Sequence, residues 1–208
     1  MTGAVLGYDP GGNGRHGLAR LDIVEGTPRG LTVSTYETVE AVLDATEADT
    51  PLAVGVDTLT CWGTGRSGWR PADRWLRLAY PAATRSVASP NSLFGSMSLG
   101  GMAILLALRA RDPTVLVTET HPKVLYRALW GRHYDYRAEA RAMDQDLGAR
   151  LGVDVRTRND HEWDAAISAL AAWHALRDDW LRDLHQLPLD EGERLVMPCG
   201  PTRYVWPE

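Results

Sequence analysis

The sequence predicts an α/β domain built on a mixed, largely buried sheet, and three observations carry that expectation. Two short apolar runs are near copies, Ala4-Val5-Leu6-Gly7-Tyr8-Asp9 and Leu52-Ala53-Val54-Gly55-Val56-Asp57, each written apolar-Gly-apolar-Asp. A third run, Val115-Leu116-Val117-Thr118-Glu119, also ends on a carboxylate. Between and after them lie stretches with helical spacing, so strands and helices alternate through most of the chain. Short Val-rich runs closed by a turn read as buried strands, parallel where helices connect them.

The elements follow in order. After the first strand, Pro10-Gly11-Gly12-Asn13-Gly14 is a turn, and residues 17–24 alternate Leu18, Arg20, Asp22 against Ala19, Leu21, Ile23, which suits a strand with one more exposed face. Arg29-Gly30 turns into a third strand over 31–36. Links this tight imply an antiparallel meander. Val39, Val42 and Leu43 mark a helix that ends before Pro51, and the strand ending in Asp57 follows. Residues 59–97 are an irregular insertion dominated by Gly, Ser, Pro and Arg. One short helix is expected there, with Pro71 at its first position and Trp75, Leu76 and Leu78 as its apolar side. Residues 98–111 form an apolar helix, 114–119 a strand, 122–130 and 136–151 further helices, and 160–184 the longest helix. Asp160 fits that helix's N-cap by type, with Asn159 as competitor. Residues 195–208 are an extended C-terminal segment whose Pro198 and Pro201 favour a sheet edge or coil.

At 208 residues the chain fits a single domain with a substantial core. A hydrophobic content of 44% and a charged content of 24% are ordinary for a globular protein. The net charge of -5 argues against a broad basic surface but leaves room for a local basic patch. Lys123 is the single lysine among 22 basic residues. Cys61 and Cys199 form no metal-spacing motif. With no signal peptide and no membrane-length apolar run, they read as reduced thiols of a cytoplasmic protein. The eight Trp sit mostly at helical spacing, where core packing explains them.

In open sheets with parallel strands, sites form beyond the carboxyl ends of the strands. Asp9, Asp57 and Glu119 are expected there, and acids so gathered repel one another unless a cation sits among them. A hard divalent metal, which prefers oxygen ligands, is the simplest such cation. Each acid also has a bland reading. Asp9 precedes Pro-Gly-Gly and suits a turn, and Glu119 precedes the helix at Pro122, whose dipole favours an acid. Asp164 lies a full turn inside the longest helix. It borders the apolar stripe Trp163, Ile167, Leu170, His174 and Leu181, beside Ser168 and Ala171. Small residues on that border let the helix approach the sheet and bring Asp164 toward the strand ends, with Asp160 on the same face one turn earlier. His121 and His161 flank two of the acids, and His161 is the better general base because imidazole activates water near neutral pH. Arg66, Arg70 and Arg74, with Arg77 and Arg85 nearby, read either as solvated arginines or as a phosphate-gripping flap that binds substrate.

Three meandering strands followed by alternating helix and strand is the element order of the ribonuclease H-like fold, a five-stranded mixed sheet flanked by helices. Within it Asp9 and Asp57 close neighbouring strands, with Glu119 one strand further. The chain also resembles the domain-of-unknown-function 429 family of predicted ribonuclease H-like nucleases. The resemblance rests on Gly7-Tyr8-Asp9-Pro10-Gly11-Gly12, Val54-Gly55-Val56-Asp57, Arg70-Pro71-Ala72-Asp73-Arg74-Trp75-Leu76-Arg77, Glu119-Thr120-His121-Pro122 and Trp163-Asp164-Ala165-Ala166. These pieces run nearly end to end, and their order and spacing carry more than any one of them.

The resemblance implies a metal-dependent phosphodiesterase acting on nucleic acid with two Mg2+ or Mn2+ ions. Asp9 would bridge both ions, Asp57 and Glu119 would bind one each, and Asp164 would complete the second. Two rivals remain open at this stage. One is a catalytically inactive scaffold of the same fold that binds nucleic acid or protein. The other is a nucleotide-phosphate-binding hydrolase of related fold, although no Walker-type loop is present and 208 residues leave no room for a second such domain. No membrane association is expected, and the sequence is silent on oligomeric state.

Overall fold

The computed structural model describes every residue except 13, 66, 67 and 89–94, with position 96 described through its backbone alone. Among the described residues a five-stranded sheet has the order β3-β2-β1-β4-β6. Its strands are β1 (Gly3–Asp9), β2 (His16–Val24), β3 (Thr27–Tyr36), β4 (Ala53–Val56) and β6 (Leu116–Glu119). β2 runs antiparallel to both β1 and β3, while β1, β4 and β6 run parallel. This is the expected mixed α/β sheet, with β1 at its centre. The third strand starts earlier than its spacing suggests and includes Pro28, tolerated because β3 is an edge strand.

Helices cover both faces. α1 (Val39–Ala45) and α3 (Gly95–Arg111) pack on the face carrying Leu6, Tyr8, Val54, Val56 and Val117. On the opposite face, carrying Val5 and Ala53, lies α6 (Asp160–Leu176), backed by α4 (Pro122–Trp130) and α5 (Tyr136–Leu151). Within the insertion, β5 (Trp62–Gly63) is followed by α2 (Pro71–Ala79), which opens on Pro71 as expected, and by a 3-10 turn (Pro81–Ser86). The C-terminal segment lies along the free edge of β6. There Arg203 forms a parallel bridge with Thr118 and exchanges backbone hydrogen bonds with Val117 and Glu119. Further on, β8 (Leu195–Val196) pairs with β5, and β9 (Val205–Trp206) pairs with β7 (Arg182–Asp183).

α6 is shorter than expected, ending at Leu176 rather than running to 184. Its apolar spacing continues past that point, but Asp178 adopts a left-handed φ of 53°, which Asp tolerates better than most residues and which stops the helix. Trp180 then folds back to stack on His174. At the other end Asn159, not Asp160, is the N-cap. Its side chain accepts from the Glu162 amide, while Asp160 sits in the first turn.

What seats α6 is a row of glycines beneath it. A Cβ at Gly7 would stand 1.8 Å from the Ala165 carbonyl oxygen, one at Gly55 1.9 Å from that of Ser168, and one at Gly17 2.0 Å from that of His161. Gly7 and Gly55 are register partners on β1 and β4, and Gly17 lies opposite Asp9 on β2. The helix therefore rests on bare backbone, with Ala165, Ser168 and Ala169 on its sheet-facing side. Gly55→Ala should force α6 outward and lower stability by about 1–3 kcal/mol. Gly30→Ala, where no atom lies within 4 Å, should be nearly neutral. Urea unfolding midpoints of the two variants against the parent test this, and equal midpoints would refute the close-approach account.

Candidate active site

Strand phase decides which acids meet. Side chains alternate faces along a strand, so Gly7 and Asp9 share the α6 face, as do Gly55 and Asp57. Tyr8 pairs with Val56, which puts Asp9 and Asp57 side by side one residue further on. On β6, Val56 pairs with Glu119. Glu119 therefore falls in phase with Val56 on the sheet's other face, and Thr120 takes the position beside Asp57. Thr120 bonds across to Ser168 of α6 at 2.7 Å.

Asp9, Asp57 and Asp164 form one electrostatic group. Asp9 is buried, and its Oδ1 accepts from the Gly11 amide at 3.2 Å. Its Oδ2 lies 2.6 Å from His161 Nδ1, and since an ionised carboxylate only accepts, Nδ1 is the donor. The bond to Asp9 raises the His161 pKa. Asp57 accepts no side-chain hydrogen bond among the described residues. Burial, then the charges of Asp9 and Asp164, lift its carboxyl well above the usual range. Asp164 accepts from the Tyr134 hydroxyl at 2.8 Å, and burial followed by the charge of Asp9 raises it to about 8. Lys123 pulls both carboxyls back down, but by less. Three acids are thus offset only by His161, on Asp9, and by Lys123.

Glu119 belongs to a different, filled network. Its Oε1 accepts from Arg70 Nη2 at 2.5 Å, and its Oε2 from Arg70 Nη1 at 2.8 Å, the Thr60 amide at 2.8 Å and the Thr60 hydroxyl at 3.0 Å. His185 Nε2 stands 3.4 Å from the same oxygen. Burial alone would raise the Glu119 carboxyl, but the charge of Arg70 and the bond from His185 hold it far below the carboxylate range. Burial likewise opposes charge on His185, and its bonds to Cys61 and Glu119 outweigh it, raising its pKa to about 10. Arg70 completes the balance by bonding both oxygens of Asp73.

This arrangement corrects two expectations. Glu119 was expected as a metal ligand, but Arg70 holds it bidentate and Thr60 bonds its Oε2 twice, so its charge is already matched. Arg70 was expected to grip substrate phosphate, yet it is 1% exposed and paired with two carboxylates. Arg74 is also engaged, by Asp190 and Glu193, and Arg77 bonds the Thr84 and Val87 carbonyls. Arg66 lies outside the described residues. His121 stands at the N-cap of α4 without a side-chain capping bond; its Nε2 donates to the Ser86 carbonyl, and burial lowers its pKa to about 4, which leaves it neutral.

Donor geometry separates the two clusters further. Cys61, Glu119 and His185 are the one group of three ligand-type side chains, among the described residues, with donor atoms within 4.8 Å of one another. They do not suit a metal, because the Arg70 guanidinium already provides the cation, 3.5 Å from Cys61 Sγ and bidentate on Glu119. Asp9, Asp57, Asp164 and His161 are spaced more widely. They retain unused carboxylate lone pairs, which is the donor set a pair of hard ions about 3.5–4 Å apart requires. A cleft of about 280 Å3 opens beyond β4 and β6, lined among others by Asp57, Ser86, Glu119, His121 and Lys123. Asp9 and Asp164 do not line it.

No protein-family model matches the chain, and no curated protein matches it. Solved structures do. "T. thermophilus RuvC in complex with Holliday junction substrate" is 19% identical with a TM-score of 0.51, over 85% of this chain and 96% of that one. "Thermus thermophilus RuvC structure" is 20% identical with a TM-score of 0.50, over 84% and 96%. At such identity the likeness establishes the fold, which is ribonuclease H-like, with the strand order found here. No helix among the described residues is long and apolar enough to cross a membrane.

The acid cluster sets a pH dependence. Without cations, Asp164 has a folded pKa of about 8 against an ordinary 3.8, so between those values the folded state keeps a proton the unfolded chain has released. Stability then falls as pH rises through that window. In chelator, the wild-type urea midpoint should drop more steeply from about pH 4 to 8 than that of Asp164→Asn. Parallel curves for the two proteins would refute the coupling. Glu119 acts at the acid end with the opposite sign, its contribution being present above about pH 4.5 and lost below it.

Proposed function

We propose that this chain hydrolyses phosphodiester bonds in nucleic acid, using Mg2+ or Mn2+ held by Asp9, Asp57 and Asp164. The observation that carries the reading is that these three carboxylates are gathered at the strand ends with only His161, on Asp9, and Lys123 to offset them, and the carboxyls of Asp57 and Asp164 stay raised, whereas Glu119 and Asp73 are matched by Arg70. Divalent ions bound by such carboxylates polarise the scissile phosphate and lower the pKa of a bound water. The protein's part is placement. Asp9 ends the central strand and is oriented by the Gly11 amide and His161. Asp57 keeps both oxygens available, and Tyr134 orients Asp164 through one of its two. His161 holds a proton against Asp9 at Nδ1, and its Nε2 is the atom at which a proton can be taken up or released as general acid or base.

Glu119 and Arg70 are anchoring residues in this reading. They join the ends of β4 and β6 to α2 and the C-terminal segment, and so fix the cleft that Asp57 lines. The motif resemblance to the predicted ribonuclease H-like nucleases supports the same chemistry. The structural neighbour described as bound to a Holliday junction substrate supports nucleic acid as the substrate class.

The test is incubation of the purified protein with linear and branched DNA and RNA in Mg2+, Mn2+ or chelator. Cleavage should require the ion and should fall to the chelator level in Asp9→Asn, Asp57→Asn and Asp164→Asn. Glu119→Gln should behave differently, losing about 3–5 kcal/mol of stability by stranding a buried partner, while keeping its metal-induced thermal shift. Full activity in Asp57→Asn, or loss of the metal shift in Glu119→Gln, would overturn these assignments.

A further inference from the structure

We propose that a groove carrying Arg85, Lys123 and Arg127 grips the sugar-phosphate backbone of the substrate. This inference rests on the nuclease reading above and adds where the polymer lies. The groove has a volume of about 360 Å3 and is walled by Ala82, Ala83, Ser86 and Tyr134 beside its cations and His133. Among the described residues no carboxylate lines it. In a chain of net charge -5 that is unusual. Arg20, Arg70, Arg74, Arg158 and Arg203 each pair with a carboxylate, whereas Arg85, Lys123 and Arg127 form no ion pair among the described residues.

The local structure explains the clustering. Lys123 and Arg127 are four residues apart on α4 and so share one face of the helix. Arg85 approaches from the 3-10 turn over Pro81–Ser86, and small Ala side chains leave room between them. The groove is also joined to the chemistry. Lys123 and Ser86 line both the groove and the cleft containing Asp57. Tyr134 lines the groove while its hydroxyl bonds Asp164. A strand held by Arg85 and Arg127 would therefore pass Lys123 on its way to the acids. A neighbouring concavity, also lined by Lys123 and Tyr134, mixes Asp135 and Asp160 with Arg137 and so suits a polyanion less well.

The probe is a fluorescein-labelled 20-nucleotide DNA, as single strand and as duplex, with binding read by anisotropy in chelator across a salt series. Each phosphate contact contributes about 0.9 to the slope of log K against log salt on duplex. Arg85→Ala with Arg127→Ala should therefore lower the slope by about 2 and weaken low-salt binding by about tenfold or more. The pair Arg85→Lys with Arg127→Lys should keep most of the slope, because the charges remain. Arg29→Ala with Arg141→Ala, both exposed and outside the groove, should bind as the parent does. Parent-like slope in the first pair would overturn the groove while leaving the nuclease reading intact. A groove-dependent slope without any cleavage would support the groove and count against the catalytic reading. Absence of binding by the parent would overturn both.

Discussion

The closeness of α6 to the sheet is the constraint on which the rest depends. Three glycines, one each on β2, β1 and β4, leave backbone in direct contact with helix carbonyls at 161, 165 and 168. Two residues beyond Gly7 and Gly55 along their strands stand Asp9 and Asp57, and immediately before Ala165 stands Asp164. The contact that buries the helix is therefore the contact that brings the third acid to the other two. Any side chain in the glycine row would separate the helix from the sheet and disperse the acids. The electrostatic cost of this convergence is visible in Asp57 and Asp164, whose carboxyls resist ionisation where they stand. Packing on both faces of the sheet has to sustain that cost in the absence of cations.

The sheet then sorts its charges by phase into two systems of opposite character. On the α6 face Asp9, Asp57 and Asp164 are gathered with His161 on Asp9 and Lys123 nearby. On the other side Glu119 and Asp73 are matched by Arg70 and by His185, whose pKa is raised, with Thr60 adding two bonds to Glu119 Oε2. A buried ion pair is costly to form but more costly to break, so the second system behaves as a rivet between β4, β6, α2 and the C-terminal segment. Only the first system has capacity left for an outside cation.

The same phase explains what could and could not be read from the sequence. The repeated apolar-Gly-apolar-Asp pattern encodes strand, face and close approach together, so the core of the fold and the pairing of Asp9 with Asp57 were legible. Asp164 was legible because Ser168 and Ala171 mark a helix border narrow enough to meet a sheet. Glu119 misled because ending a strand says nothing about facing. On β6 the residue in the Asp phase is Thr120, and only inter-strand register reveals it. Arg70 misled for another reason. Its partners Cys61, Glu119 and Asp73 include one 49 residues away, and an Arg in a Gly- and Pro-rich stretch looks solvated until that partner is in place. The end of α6 was hidden because apolar spacing persists to Leu181, whereas the helix stops on one backbone angle at Asp178.

Unpaired acids and unpaired cations so near each other raise the question of why they do not neutralise one another. Between Lys123 and Asp164 the answer lies in Tyr134. Its hydroxyl holds Asp164, and its ring lies under the Lys123 ammonium at 5.7 Å, so Lys123 is steadied on the aromatic face rather than drawn into an ion pair with Asp164. Arg85 and Arg127 line the groove beside it, and the acids stay behind the tyrosine. The fold thereby maintains two patches of opposite sign at short range without letting either cancel the other. A phosphodiester chain with bound divalent ions has the complementary pattern, anionic along its length and cationic at the point of cleavage. Under the proposed nuclease function, one ligand of that kind would satisfy both patches at once.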